Sequence, residues 1–278
     1  MPGVDLAMPD ADAFQTGFGR YEARRFELGG SGAGNEPLVE ETPVALNYNE
    51  QSHAVMLATP IDIEDFAVGF SLTEGVVRAA SDIEEIDVIP SRHGVAVMMR
   101  IPQERALALE HMRRSLPGMG GCGLCGIEKL DAALRMPRPV TSRLRFHPDA
   151  LARSCRQLPE LQTLGRMTGA SHAAAFALPD GTLKSIREDA ARHNAMDKLV
   201  GHLARSGLTA SAGFVAVTSR ASYELVQKAA TAGFELLVAI SAPTGLAVRV
   251  ALATGITLVG FARDGRFTCY ANEQRLVD

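Results

Sequence analysis

Short β-rich runs fill the first half of the chain, and after Gly165 the pattern changes to strands alternating with helices. Glu41–Tyr48 and His53–Ala58 flank Asn49-Glu50-Gln51-Ser52, which predicts a hairpin. Ile63, Phe66, Ala67 and Phe70 follow helical spacing over Ile63–Thr73, with Asp62 as a cap and Gly75 as a stop. Ile83–Ile89 and Val95–Ile101 read as strands joined through Pro90 and Gly94, Glu104–Ser115 as a helix, and Gly126–Leu134 as a short one. Pro137, Pro139 and Pro148 punctuate a connector that ends in a helix over Asp149–Leu158. Ala173–Leu178 and Thr182–Ile186 flank the turn Pro179-Asp180-Gly181. A helix over Ala191–Arg205 follows, with Met196, Leu199, Val200 and Leu203 on one side. Phe214–Val217 and Glu235–Ile240 are strands, each followed by a helix, Tyr223–Thr231 and Thr244–Ala253. Thr257–Phe261 and Phe267–Tyr270 form a last hairpin. The pattern predicts an α/β (α+β) chain with a β-rich N-terminal lobe over 38–136, a connector over 137–164 and an α/β lobe over 165–278. Residues 1–37 have no sustained period and contain Gly29-Gly30-Ser31-Gly32-Ala33-Gly34, which predicts a disordered tail.

Composition narrows the class. The chain has 278 residues, 46% hydrophobic and 22% charged, enough for a sizeable core. No apolar run reaches membrane-spanning length, and four cysteines, two of them in one tight motif, suit a reducing compartment. A cytoplasmic protein with no membrane partner is expected. The net charge is −4, spread unevenly. Residues 1–90 hold 17 acidic and 4 basic side chains, and residues 100–166 hold 6 acidic and 12 basic. Overall acidity, with 5% aromatics, argues against a nucleic-acid partner.

The basic stretch surrounds Gly118-Met119-Gly120-Gly121-Cys122-Gly123-Leu124-Cys125-Gly126. Thiols react as thiolates, which nearby positive charge and free N–H groups favour, and glycines let a partner approach the sulfurs. A zinc site would need a second cysteine pair, so no structural metal is expected. The G-x-G-x-x-G match follows a predicted helix rather than a strand and is discarded. A thioredoxin-like dithiol stays open. Further candidates lie downstream. His172 starts a strand. Glu188, Asp189, Arg192, His193, Asn194, Asp197 and Lys198 form a dense polar set, read as a site edge. Ser219-Arg220-Ala221-Ser222 ends a strand and opens a helix, a layout that suits an anion or a plain serine cap. Ser241-Ala242-Pro243-Thr244 repeats it, and two such junctions can share one cleft at the strand ends. Phe261-Ala262-Arg263-Asp264-Gly265-Arg266 is a turn with two arginines. Deamination chemistry would need H-x-E and P-C-x-x-C, which the chain lacks.

Several of these segments occur together in one known pattern. The cysteine loop, Glu40-Glu41-Thr42-Pro43-Val44-Ala45-Leu46, His172-Ala173-Ala174-Ala175, Glu188–Lys198 and Ser219–Glu224 resemble, in order, the FdhD family of formate dehydrogenase accessory sulfurtransferases. The resemblance implies a cytidine-deaminase-like architecture for the C-terminal lobe. It implies a homodimer that relays persulfide sulfur from a cysteine desulfurase to the bis-molybdopterin guanine dinucleotide form of the molybdenum cofactor, for the formate dehydrogenase catalytic subunit. It also implies Cys122 and Cys125 as the catalytic thiols, with Phe261, Ala262, Arg263, Asp264, Gly265 and Arg266 at the cofactor, joined by Arg220, Ser222, His172 and His193. The chain departs from the pattern at Ala170, where Gly or Cys is common, and at Ala190-Ala191, where Val-Gly is common. A dithiol–disulfide oxidoreductase and a non-enzymatic cofactor chaperone are the alternatives.

Overall fold

The computed structural model describes residues 12–28, 30–114, 136–141 and 143–277. Cys122, Cys125 and the helix expected over Gly126–Leu134 lie outside the described residues.

The N-terminal lobe is a four-stranded sheet in the order β4-β3-β6-β5, from β3 (Thr42–Tyr48), β4 (Gln51–Ala58), β5 (Glu85–Ser91) and β6 (Gly94–Arg100). β3 and β4 pair as the expected hairpin, with Asn49 and Glu50 both at positive φ in the turn. β5 runs through Pro90 rather than stopping before it, which an edge strand allows. α2 (Ile63–Thr73) packs on one face of this sheet through Phe66, Ala67 and Phe70. Asp62 precedes α2 but does not cap it; its carboxylate lies 3.5 Å from Arg187 of the other lobe. α3 (Gln103–Arg114) closes the lobe.

The tail expected over 1–37 is in part a built element. A single turn, α1 (Ala13–Thr16), leads into β1 (Phe18–Glu27) and β2 (Gly30–Val39), an antiparallel ribbon ten residues long on each strand. The pairing of β1 makes up for the absent side chains of Gly30, Gly32 and Gly34, and Tyr21 ties the ribbon down by donating to Glu40 at 2.5 Å.

The C-terminal lobe is a six-stranded mixed sheet in the order β12-β11-β10-β9-β7-β8. Its strands are β7 (His172–Ala177), β8 (Leu183–Asp189), β9 (Phe214–Val217), β10 (Leu236–Ala239), β11 (Thr257–Arg263) and β12 (Arg266–Ala271). β9, β10 and β11 are parallel neighbours, and the two outer hairpins are antiparallel. The α4 helix (Pro148–Leu161) covers one face, with Phe146, Leu151 and Leu158 against Phe214 and Val238. After it, α5 (Thr163–Thr168), a helix the sequence pattern does not signal, lies beside β2. α6 (Arg192–Arg205), α7 (Tyr223–Ala232) and α8 (Gly245–Thr254) cover the opposite face over a core of Met196, Leu199, Leu225 and Val250.

The lobes meet where α2 crosses α6 backbone to backbone. A methyl group at Gly69 would lie 1.7 Å from the Asp197 carbonyl oxygen, and one at Gly201 would lie 1.9 Å from that of Asp65. Only glycine permits such an approach. The crossing fixes the C-terminal end of α2 against the N-terminal end of α6, where the candidate residues gather.

Candidate functional site

Two strand-to-helix junctions and the end of β11 line one end of the six-stranded sheet, at the carboxyl ends of its parallel strands. Ala221 after β9 donates its N–H to Ala242 O at 3.2 Å and accepts from Thr244 N at 3.0 Å, while Phe261 N donates to Ser241 O at 3.1 Å. The segments Ser219–Ser222, Ser241–Thr244 and Phe261 therefore form one continuous edge. Thr244 caps α8 through Ala247 N at 3.2 Å. Ser222 occupies the same position before α7 yet makes no cap; its hydroxyl lies 3.4 Å from Arg192 Nε. The N-terminus of α7 thus has no side-chain cap from Ser222 and turns its positive end toward this edge.

His172 belongs to this edge, because it opens β7 opposite Asp189, the last residue of β8. Burial, and after it the Arg192 guanidinium, hold His172 below the usual imidazole range; Asp189 opposes this and Arg220 adds to it. His193, on the first turn of α6, is pushed down to about 4 by burial and by the Lys228 ammonium. Both imidazoles are neutral at pH 7 and can donate or accept one hydrogen bond at each nitrogen. Burial pushes the Glu224 carboxyl up, with Arg192, 3.9 Å away, pulling the other way.

Of the rest of the polar set read as a site edge, Asp189, Asn194, Asp197 and Lys198 hold the lobes together, while Glu188 fastens the segment before β7. The Asp189 carboxylate accepts from Thr59 N at 3.0 Å and Ala191 N at 2.8 Å and pairs with the fully buried Lys198 at 2.8 Å. Lys198 also donates to Thr59 O and Glu188 O. Glu188 accepts from Leu164 N, Gly165 N and Ser171 Oγ. Lys228 donates to Thr73, Glu74 and Asp197 at 2.8–3.0 Å. Burial alone would pull the Lys228 ammonium down, but the Asp197 and Glu74 carboxylates together hold it above the usual lysine range. Glu74 and Lys228 were not singled out by the sequence. Lys228 sits four residues after Glu224 on one helix face, a spacing that could have flagged it.

The last hairpin projects from the same end of the sheet. Phe261 and Asp264 take φ of 54°, and Gly265 takes 73°. Arg263 pairs with Arg266 across the turn and both are exposed, whereas the Ala262 side chain is buried in the core under α4. The structure thus brings His172, His193, Arg220 and Ser222 together with Arg192, and sets Phe261–Arg266 further along the same edge. The Ala191 backbone is extended, with φ −104°, and Ala170 is absent from the residues at positive φ, so neither alanine is strained. Cys155 and Cys269 are free and partly buried, the Cys155 thiol pushed up to about 11 by burial. Among the described residues, no three His, Cys, Asp or Glu side chains gather as a metal site.

A sequence profile of the FdhD/NarQ family matches residues 39–277. The chain belongs to the FdhD/NarQ family. It is 53% identical over 241 residues to the sulfur carrier protein FdhD of Cupriavidus necator, covering 87% of this chain and 84% of that one. It is 49% identical over 253 residues to the protein of the same name from Xanthomonas campestris pv. campestris, 91% of this chain and 90% of the relative. The Xanthomonas euvesicatoria pv. vesicatoria relative is 46% identical over 271 residues, 98% of this chain and 96% of its own, so that match extends well into the N-terminal ribbon. A solved structure from Desulfotalea psychrophila, assigned to a formate dehydrogenase accessory protein, superposes with a TM-score of 0.76 at 22% identity, over 94% of this chain and 100% of that one. FdhD/NarQ membership and the shared fold agree with the two-lobed α/β architecture described above.

Proposed function

We propose that this chain is a sulfurtransferase that relays persulfide sulfur from a cysteine desulfurase to the bis-molybdopterin guanine dinucleotide cofactor destined for formate dehydrogenase. The observation that carries the reading is its 53% identity to a sulfur carrier protein, in a chain with two cysteines, at 122 and 125, in a glycine-rich stretch of sequence. The thiolate of Cys122 attacks the outer sulfur of the donor persulfide, and the donor cysteine leaves as a thiolate, so the sulfur changes carrier without changing oxidation state. Cys125 assists or takes over the sulfur. The cofactor is cargo, and its guanine dinucleotide phosphates suit the strand-end cleft, where Arg220 and Arg192 lie beside the positive end of α7 and Arg263 and Arg266 project nearby. The neutral His172 and His193 offer hydrogen bonds without competing for the anion. A thiol that must stay reduced until it is loaded suits the cytoplasm.

The test is incubation with desulfurase and cysteine, followed by a persulfide-specific label and mass spectrometry. Stable, reducible sulfur mass on Cys122 is expected, and its loss in Cys122→Ala with an unchanged circular dichroism spectrum. A Cys122–Cys125 disulfide without added sulfur would instead indicate an oxidoreductase, and cofactor binding with no sulfur gain a chaperone. Arg220→Ala and Arg266→Ala should load sulfur normally but bind GDP, a fragment of the cargo, roughly ten- to a hundredfold more weakly, as expected for the loss of one charge-assisted bond. Unchanged affinity in both would move the cofactor site elsewhere.

A further inference from the structure

The cations buried between and within the lobes are saturated at short range. Arg187 donates to Asp65 at 2.9 and 2.7 Å, Lys198 lies 2.8 Å from Asp189, and Arg275 lies 3.2 Å from Glu235 while also donating to Gly255 O at 2.7 Å. Arg192 is held differently. Its side chain is 31% exposed, and its two partners are distant: Ser222 Oγ at 3.4 Å and the Glu224 carboxylate at 3.9 Å. Both are at the outer limit for a hydrogen bond or ion pair. A guanidinium has five donors in a planar fork matched to two oxygens of a phosphate, and these two contacts engage that fork only weakly.

The surroundings explain why it waits there. Arg192 comes from α6 and Arg220 from the end of β9, and both guanidinium groups act on the same His172 ring. Two cations this close with no anion between them would repel each other. Glu224, from α7, supplies negative charge beside Arg192, and the Asp189 carboxylate, already paired with Lys198, acts on the same His172 ring. Lys228, Glu74 and His193 also face this group of side chains.

We propose that Arg192 is a phosphate-binding residue and that the Glu224 carboxylate is its placeholder, displaced when a diphosphate enters the strand-end cleft. The inference rests on the cofactor reading above and specifies the anion contact within it. A bidentate arginine–phosphate pair at close range is stronger than a carboxylate contact at 3.9 Å, so the ligand wins the exchange. The exchange has a cost. The displaced carboxylate remains beside the incoming phosphate and repels it, which holds affinity below what two arginines alone would give. A carrier that must hand its cargo on benefits from that limit.

The prediction is specific because it couples two residues. GDP and, separately, inorganic pyrophosphate are titrated by calorimetry into the full chain and into Glu224→Gln, Arg192→Gln and the double variant. Glu224→Gln should tighten both ligands by about three- to tenfold, and Arg192→Gln should weaken both by about tenfold. The double variant should gain clearly less over Arg192→Gln than Glu224→Gln gains over the wild type, because only the direct repulsion, and not the competition for the guanidinium, is left to remove. Thermal melts check each fold. If Arg192→Gln melts early, Arg192→Lys takes its place, keeping the charge without the fork and losing most of the gain from Glu224→Gln. Equal tightening by Glu224→Gln with and without the arginine would overturn the inference, since the carboxylate would then act only as a general field. Wild-type binding that Glu224→Gln leaves unchanged would also overturn it while leaving the cofactor site standing. No binding to the wild type would remove the cofactor reading and this inference together.

Discussion

At position 193 an imidazole sits on the first turn of α6, and burial, helped by the Lys228 and Arg192 cations and opposed by Asp189, pushes it down to about 4. An unfolded histidine titrates near 6.5, so the folded state holds the proton less well than the unfolded one. The sign follows directly: His193 contributes stability that is complete above about pH 6.5 and is lost as pH falls from there towards 4. Melting temperatures measured between pH 7 and 4 should fall less steeply in His193→Gln than in the wild type; parallel curves would show that the ring is solvated. Its nuclear magnetic resonance titration should likewise have a midpoint well below 6. The same reasoning sorts the thiols. Burial raises both Cys155 and Cys269, the first to about 11, so each is almost wholly protonated at pH 7.5. A mild alkylating reagent should modify Cys122 and Cys125 at least about tenfold faster than either; equal labelling of all four would contradict this.

Between elements, the closest approach is the glycine crossing of α2 and α6. Gly69→Ala places a methyl group against backbone, which cannot rotate away, so the helices must separate. Overpacking of this kind costs about 1–3 kcal/mol, and Gly69→Val should cost more. Chemical denaturation of both variants gives the measure, and a change under about 0.5 kcal/mol would mean that the crossing is looser than described. Most of the elements were legible in the sequence because they carry a local signal. Ile63–Thr73 was bounded to the residue by helical spacing and a glycine stop, and β3, β4, β9 and the last hairpin by β-rich runs between turn residues. The ribbon was not, because a strand reading Gly-Ser-Gly-Ala-Gly has no side-chain period and is ordered by pairing and by Tyr21 on Glu40. The site was legible in part. His172, His193, Arg220 and Ser222 were read from the places they occupy at strand and helix ends. The roles of Glu188, Asp189, Asp197 and Lys198 were not, because their partners Thr59, Leu164 and Thr73 lie far away along the chain. Neither was the contact of Arg192 with Ser222, thirty residues on.

Over the whole molecule, the four-stranded and six-stranded sheets are joined through a polar seam and through the crossing of α2 with α6. Lys198 and Asp189 are both fully buried, so Lys198→Met leaves an uncompensated carboxylate and should cost about 3–5 kcal/mol; Lys198→Met with Asp189→Asn should recover part of that. Because the Thr59 backbone bonds both partners, the lobes should unfold together. Far-ultraviolet circular dichroism and tyrosine fluorescence of a Tyr21→Phe, Tyr223→Phe, Tyr270→Phe variant, in which Tyr48 of the N-terminal lobe is the remaining tyrosine, should give coincident transitions; two separated midpoints would show independent domains. The glycine crossing also limits how such proteins can be recombined. A chimera that takes residues 38–136 from one relative and the remainder from another joins two surfaces that touch through backbone atoms. A side chain at either position cannot be offset by trimming its neighbour, because no side chain faces it. Exchange of lobes is therefore open only between parents that have glycine at both 69 and 201, however well the rest of their surfaces match.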